Sequence, residues 1–204
     1  MILTVPVRGV FQTNCYFYAD EKAGHCFIID PGAEGARLIQ IAWEHGWVIN
    51  KILLTHGHFD HTGGIEEMYK KISPTVWAHE NGKLYLTDPM KNLSRLCGCN
   101  VIIKGAQYFH DGDVIKLTEG HSLKVIHTPG HTEDSVVFYD AREGIAFVGD
   151  TIFKGQPGSD KYPGGNTRDL YNSIHNKILT LPERTILYSG HSEPTTVKEE
   201  RKNY

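Results

Sequence analysis

The sequence predicts an α/β protein in which two mixed β-sheets carry helices on their outer faces, folded as one domain over residues 1–204. Three observations lead there. Short β-type runs and runs of helical period recur in both halves of the chain, without the strict strand–helix alternation of an all-parallel sheet. Hydrophobic residues make up 40% and charged residues 22%, the balance of an ordinary globular protein with a buried core. The length suffices for one sizeable core, and no internal repeat or low-complexity linker divides it.

Residues 3–7, 15–19 and 25–30 read as strands, the last closed by the turn Asp30-Pro31-Gly32. Between residues 36 and 47, Leu38, Ile39, Ala42 and Trp43 recur at helical spacing and predict a helix with that face inward. Residues 49–55 read as a buried strand. A helix is expected over 62–72, where Gly63-Gly64 allows close backbone approach near its start. A strand at 75–78 and a short helix at 80–86 follow. From 88 to 107 no period holds, and a mobile loop or lid is expected. Four β-type runs come next, at 114–117, 123–128, 135–139 and 145–148. Residues 155–166 are rich in Gly and Pro and form a loop. Leu170, Ile174, Ile178 and Leu179 predict a helix over 167–179, and 185–188 is the final strand.

Charge narrows the function classes. Against 24 acidic residues stand 21 basic ones, a net charge of −3 with no long basic block. Neither a nucleic acid nor an anionic membrane has an electrostatic footprint here. Residues 1–7 lack a charged segment leading into an apolar one, and no run approaches the roughly 18 apolar residues of a membrane span. The expectation is a soluble cytoplasmic protein acting on a small molecule, with no signal for an oligomeric state. Four cysteines do not make a disulfide framework in a chain of this length. Cys15 and Cys26 lie in apolar runs and read as buried thiols. Cys97-Gly98-Cys99 lacks the partner pair of a zinc site and reads as a loop with incidental thiols.

The chemistry is concentrated in Thr55-His56-Gly57-His58-Phe59-Asp60-His61. Three imidazoles and one carboxylate follow the apolar run Ile52-Leu53-Leu54, which as a strand would deliver them from one tight loop. Neutral imidazole and carboxylate together suit Zn²⁺, Fe or Mn²⁺. His56 and His58 can point to one side of an extended segment, and Asp60 with His61 can turn towards a second point. That is the layout of a two-metal site. Four ligands do not complete two shells, and three more stand at later strand ends. They are His131 beyond the turn Thr128-Pro129-Gly130, Asp150 in Val148-Gly149-Asp150-Thr151, and His191 in Ser189-Gly190-His191. A polar loop whose histidines merely cap the next helix would need none of them. Of the other histidines, His25, His45 and His175 fit strand or helix patterns, and His110 and His121 lie in polar loops without ligand spacing. His79, directly after a strand, is read chiefly as structural, with a substrate-side role as the alternative.

Taken together, Asp30 in its Asp-Pro-Gly turn, the motif at 56–61, Gly130-His131-Thr132, Gly149-Asp150-Thr151 and Gly190-His191 resemble the metallo-β-lactamase fold superfamily. Within it, they resemble the glyoxalase II-like hydrolases, over residues 14 to about 195. The resemblance implies a four-layer αββα sandwich with the site at one edge between the sheets. It implies one metal held by His56, His58 and His131, a second by Asp60, His61 and His191, and Asp150 bridging them. Asp30 would stand behind the ligand loop without touching metal. The implied cofactors are two divalent ions, zinc first, with iron or manganese also fitting the donors.

On that reading the protein is a metal-dependent hydrolase. Two cations about 3.5–4 Å apart lower the pKa of a shared water to roughly 7, and the hydroxide attacks an acyl carbon. Asp60 then has a catalytic role, orienting the nucleophile as well as ligating. No serine or cysteine sits in a nucleophile elbow. The resemblance implies a thioester substrate such as an S-acylglutathione. The long form of the glyoxalase II-like enzymes adds a helical C-terminal segment that helps hold glutathione, and this sequence reaches Tyr204 without it. The short relatives often carry Gly-Arg-Thr/Ser-Asp-aromatic-Pro, which here reads Gly158-Ser159-Asp160-Lys161-Tyr162-Pro163, with Ser159 where Arg is usual. Lys161 and Tyr162 are the candidates for holding a carboxylate and a peptide-like arm; the alternative there is a solvated loop. An iron-dependent persulfide dioxygenase shares the fold and motif and is the competing reading. An RNA-processing nuclease is disfavoured by the charge, and a non-catalytic metal module would lack a ligand position, whereas all seven are filled.

Overall fold

In the computed structural model, which describes residues 1–204, the chain opens on an antiparallel pair, β1 (Ile2–Arg8) and β2 (Gln12–Asp20). Strand β3 (His25–Ile29) adds antiparallel to β2, and helix α1 (Gly35–Glu44) crosses over to β4 (Val48–Leu53), parallel to β3. Two short helices, α2 (Phe59–Thr62) and α3 (Ile65–Tyr69), lead to β5 (Thr75–His79). Helix α4 (Lys83–Thr87) precedes β6 (Gln107–Phe109), and β4, β5 and β6 run parallel. These six strands form one mixed sheet in sequence order.

The second half is built differently. Strands β7 (Val114–Thr118), β8 (His121–His127), β9 (Val136–Asp140) and β10 (Ile145–Gly149) make an antiparallel meander. A small hairpin follows, β11 (Ile152–Phe153) with β12 (Gln156–Pro157). Helix α5 (Thr167–Ser173) then returns the chain to β13 (Ile186–Ser189), parallel to β10. Strand β14 (Thr195–Thr196) and helix α6 (Val197–Glu200) complete the fold, and the second sheet runs β14-β13-β10-β9-β8-β7. No helix is long and apolar enough to cross a membrane.

Period-two alternation sorts the central strands between layers. Along β2, Cys15, Phe17 and Ala19 join the core formed with Leu38, Ile39 and Met68 of α1 and α3. Tyr16 and Tyr18 belong to the opposite core, with Phe27, Phe138 and Phe147, between the two sheets. Beyond the second sheet Val137, Ala146 and Val148 pack with Leu170, Ile174 and Ile178. Three cores separate four layers, which is the αββα sandwich. Each fully buried Phe or Leu stabilises by about 1.5–3 kcal/mol, so the inter-sheet aromatics are a large part of what holds the sheets together.

Several elements differ from the sequence expectation, for local reasons. The first helix stops at Glu44 because the chain reverses at Gly46 (φ +70°), where the Trp47 amide donates to the Ala42 carbonyl. Trp47 is thereby buried, while Trp43, expected inward, is 63% exposed. The helix expected over 62–72 is the shorter α3, Ile65–Tyr69, separated from α2 by Gly63-Gly64, where the Gly64 amide donates to the Pro31 carbonyl. Within the segment expected as a mobile loop or lid, one residue is tied into the fold. Buried Asn92 donates from Nδ2 to the carbonyls of Tyr85 and Val101, and its own carbonyl accepts from the Phe59 amide. The helix over 167–179 ends its α-helical part at Ser173 and continues as a π-turn, Ile174–Ile178. The short β6, β11, β12 and β14 were not visible as periods, being only two or three residues long.

One buried carboxyl takes no part in pairing. Asp134, in the β8–β9 connection, is 1% exposed and neither oxygen has a hydrogen-bond partner. Burial pushes it up to about 7, and the nearby Thr132 hydroxyl and Gly57 amide only partly oppose this. Folded-state pKa above unfolded means that the native protein holds this proton while the unfolded chain releases it. Stability is therefore highest below pH 4 as far as this group is concerned, and falls as pH rises towards 7, by on the order of 4 kcal/mol. Asp134→Asn is expected to raise the melting temperature at pH 8 and to change it little at pH 4. Equal shifts at both pH values in a thermal-unfolding series would remove Asp134 as the cause.

Candidate metal centre

Each of the seven donors leaves the C-terminal end of a strand, on one shared edge of the two sheets. His56, His58, Asp60 and His61 follow β4, His131 follows β8, Asp150 follows β10 and His191 follows β13. The helix α2 that carries Asp60 and His61 begins directly after His58, so the chain turns between the two pairs of ligands. The sequence-predicted residues come together in three overlapping groups: the triad His56, His58 and His131, the triad Asp60, His61 and His191, and His56 and His61 with Asp150.

In the first triad His58 Nδ1 lies 3.2 Å from His56 Nε2 and 3.0 Å from His131 Nε2. Bonds of 2.0–2.1 Å to a tetrahedral ion would set such nitrogens about 3.3 Å apart. Burial, first of all, pushes His56 well down and takes His58 to about 3, and it lowers His131 too. These imidazoles are neutral at pH 7, and His56 and His131 both turn Nε2 towards His58 Nδ1. A single His58 proton can satisfy only one of those two nitrogens fully, whereas a cation among the three would engage them all.

The second triad has the opposite charge balance. Asp60 Oδ2 is 3.1 Å from His191 Nε2 and 3.8 Å from His61 Nε2, and the two imidazole Nε2 atoms are 3.4 Å apart. Asp150 stands between the triads: Oδ1 is 3.4 Å from His61, and Oδ2 is 3.3 Å from His191 and 3.7 Å from His131. Burial would lower both His61 and His191, but the carboxylates outweigh it. Asp150, Asp60 and Asp30 raise His61, and hydrogen bonds to Asp150 and Asp60 raise His191 to about 10. Burial would likewise raise Asp150 and Asp60, yet the facing imidazoles hold both below the carboxylate range, Asp150 far below. The pocket thus draws positive charge into a buried place. Divalent ions held among these donors would supply it. The residues present fit a two-metal group.

The far nitrogens explain why the near ones face inwards. Asp30 is 1% exposed; its Oδ1 accepts from the Thr55 amide at 2.8 Å and its Oδ2 from the Thr55 hydroxyl at 2.6 Å and His61 Nδ1 at 3.0 Å. Since that hydroxyl is spent on Asp30, it accepts from His56 Nδ1 at 3.2 Å. His131 Nδ1 donates to the Ser159 carbonyl at 2.6 Å, and His191 Nδ1 to the Gln12 carbonyl at 2.8 Å. Four of the five imidazoles thereby have Nδ1 engaged elsewhere and Nε2 turned to the centre, while His58 presents Nδ1. Asp30 makes no approach to the donor triads except through Thr55 and His61. Thr55, Ser159 and Gln12 carry no ligand signal, two of them acting through main-chain carbonyls.

Glycine sets how closely the strand ends approach. A Cβ on Gly190 would stand 2.2 Å from Asp150 Oδ1 and 2.6 Å from His61 Cε1. On Gly149 it would meet Thr55 Oγ1 at 2.4 Å, and that residue also has φ +50°.

The centre opens into a cleft of about 280 Å³, whose walls include Phe11, Phe59, Leu93, Phe153 and Tyr162. Of the expected substrate pair, Tyr162 is in this wall, its ring centroid 5.8 Å from that of His58; Lys161 is exposed and outside the lining. His79 does not reach the cleft either. It is buried, stacked on His127 at 4.1 Å between centroids. Cys15 and Cys26 are buried thiols, and Cys97 and Cys99 belong to no donor cluster.

Fold and donor set together define a metallo-hydrolase scaffold, and the chain belongs to the metallo-beta-lactamase superfamily, whose family model matches residues 8–191. The "Probable metallo-hydrolase YqgX" of Bacillus subtilis (strain 168) is 39% identical over 194 residues, covering 95% of this chain and 91% of the relative. The "Hydroxyacylglutathione hydrolase GloC" of Haemophilus influenzae is 30% identical over 202 residues, 98% of this chain and 94% of that one. Among solved structures, BLEG-1 B3 metallo-beta-lactamase superposes with a TM-score of 0.92 at 35% identity, covering 99% of this chain and 97% of the other. TTHA1623 in a di-iron-bound form gives 0.86 at 28% identity, with 98% of each chain covered.

Proposed function

We propose that the protein is a thioester hydrolase that takes small acylated thiols, S-acylglutathione among them, at a two-metal centre. The observation that carries this is the meeting of all seven donors, with Asp150 set between a neutral triad and a carboxylate-bearing one. His56, His58 and His131 would hold one ion, and Asp60, His61 and His191 the other. Zinc is the first candidate for three imidazoles at tetrahedral spacing, although the di-iron form of TTHA1623 makes iron a real competitor. Bound there, the ions supply Lewis acidity and a lowered pKa for water.

The chain's own groups do the rest. Asp60 accepts a hydrogen bond from the attacking water and turns its lone pair towards the acyl carbon. The aromatic wall keeps bulk water from the reacting atoms, and Tyr162 contacts the substrate. The new bond joins the water oxygen to the acyl carbon; the carbon–sulfur bond breaks, and sulfur leaves with the electron pair and takes up a proton. The products are a carboxylic acid and a thiol. The likeness to the Haemophilus hydroxyacylglutathione hydrolase supports this class of substrate. The likeness to a B3 metallo-beta-lactamase supports a second reading, in which the acyl carbon is that of a β-lactam.

Metal analysis of the purified protein, followed by a panel of S-lactoylglutathione, other thioesters and a chromogenic β-lactam, separates these. About two metal ions per chain are expected, with thioester cleavage at a kcat/KM of at least about 10⁴ M⁻¹s⁻¹. A single iron, with oxygen uptake on glutathione persulfide and no thioester cleavage, would establish the dioxygenase reading instead.

A further inference from the structure

The cleft's walls say which part of a thioester it reads. Phe11 comes from the β1–β2 turn, Phe59 from α2, Leu93 from the segment after α4, Phe153 from β11 and Tyr162 from the loop before α5. Five separate segments thus bring apolar surface to the rim of a polar, charged centre. Phe11 is 51% exposed and Tyr162 47%, although each is large enough to be buried profitably elsewhere. Phe11 leans on Phe59 with ring centroids 6.0 Å apart, Phe153 stands 6.0 Å from His191 and Tyr162 5.8 Å from His58, so each triad has an aromatic ring beside it. Leu93 has φ +71°, a left-handed conformation that disfavours a branched side chain and that the pinned Asn92 next to it enforces.

Charge points the same way. No lysine or arginine lines the cleft, and its only acidic residues, Asp60 and Asp150, belong to the donor set. Lys91, in the segment that supplies Leu93, is paired with Glu133 at 2.8 Å. A thiol arm bearing two carboxylates, as glutathione does, therefore meets no cation of the cleft wall.

Building on the thioester reading, we infer that the cleft selects its substrate by an apolar acyl chain, aliphatic or aryl, and not by the thiol arm. The acyl carbon sits at the centre, the chain lies along the aromatic wall, and the thiol points to solvent.

The test is a chain-length series of S-acyl N-acetylcysteamine thioesters from acetyl to octanoyl, run beside S-lactoylglutathione on the metal-loaded protein. A buried methylene is worth about a fourfold gain, so kcat/KM should climb by roughly that factor per carbon until the cleft is filled. Phe153→Ala, and separately Phe11→Ala in the exposed turn, should flatten the slope while leaving metal content at the wild-type level. A flat or falling series, or a tenfold preference for S-lactoylglutathione over the octanoyl thioester, would overturn the inference and leave the hydrolase reading intact. No turnover of any thioester would overturn both, and is distinguished by the missing activity towards the acetyl and lactoyl compounds.

Discussion

Asp150→Ala is expected to lose metal and turnover together. Its carboxylate is 7% exposed and is the only one within 4 Å of imidazoles from both triads. Two divalent ions in a buried place need anionic charge nearby, and Asp60 alone would face them if Asp150 were removed. Metal content should fall from about two ions per chain to one or fewer, and kcat by at least about 10³-fold, a loss comparable to removing a major electrostatic group from an active site. Asp150→Asn keeps the shape but compensates less cation charge, so part of the metal should remain with a lower turnover. Circular dichroism separates these outcomes from misfolding. Wild-type activity in a folded Asp150→Ala protein would refute the two-metal mechanism.

The site was legible in the sequence because its chemistry is carried by residue types that are rare in combination. Histidine and aspartate at strand ends, each beside a glycine or a turn, announce themselves at 56–61, 131, 150 and 191. The fold was legible for a similar reason, since period-two runs such as β2 sort Phe17 from Tyr16 without reference to the rest of the chain. What could not be read rests on long-range geometry or on backbone atoms. The Ser159 and Gln12 carbonyls orient His131 and His191 from 28 and 179 residues away, and any residue has a carbonyl. Trp43 and Trp47 both fit an apolar face, and the reversal at Gly46 decides which is buried. The cleft wall was equally silent. Phe11, Leu93 and Phe153 are single apolar residues in unrelated segments, and only the folded chain gathers them beside the metal ligands.

Asp30→Asn is the substitution with the most informative outcome, because it keeps the shape of the side chain while exchanging one carboxylate oxygen for an amide NH2 and removing the negative charge. Asp30 sits at φ +54°, a conformation that asparagine tolerates better than almost any other residue, so the exchange adds no backbone strain. The asparagine oxygen can still accept from the Thr55 amide, the bond now made by Oδ1. The amide nitrogen then occupies the place of Oδ2 and donates where the carboxylate accepted, towards His61 Nδ1 and the Thr55 hydroxyl oxygen, whose own proton must turn away. His61 must place its own proton on Nε2, the atom that faces Asp60, Asp150 and His191, and there it blocks coordination. The second ion should be lost and the first retained, giving metal content near one per chain, and turnover should fall about 100-fold or more. Asp30→Ala should behave differently. It leaves the Thr55 amide, the Thr55 hydroxyl and His61 Nδ1 as buried donors without an acceptor, and so should cost about 3 kcal/mol or more in urea unfolding. Two ions per chain and wild-type turnover in Asp30→Asn would mean that His61 is not held by its tautomer. Loss of stability equal to that of Asp30→Ala would mean that Asp30 serves the fold and not the metal.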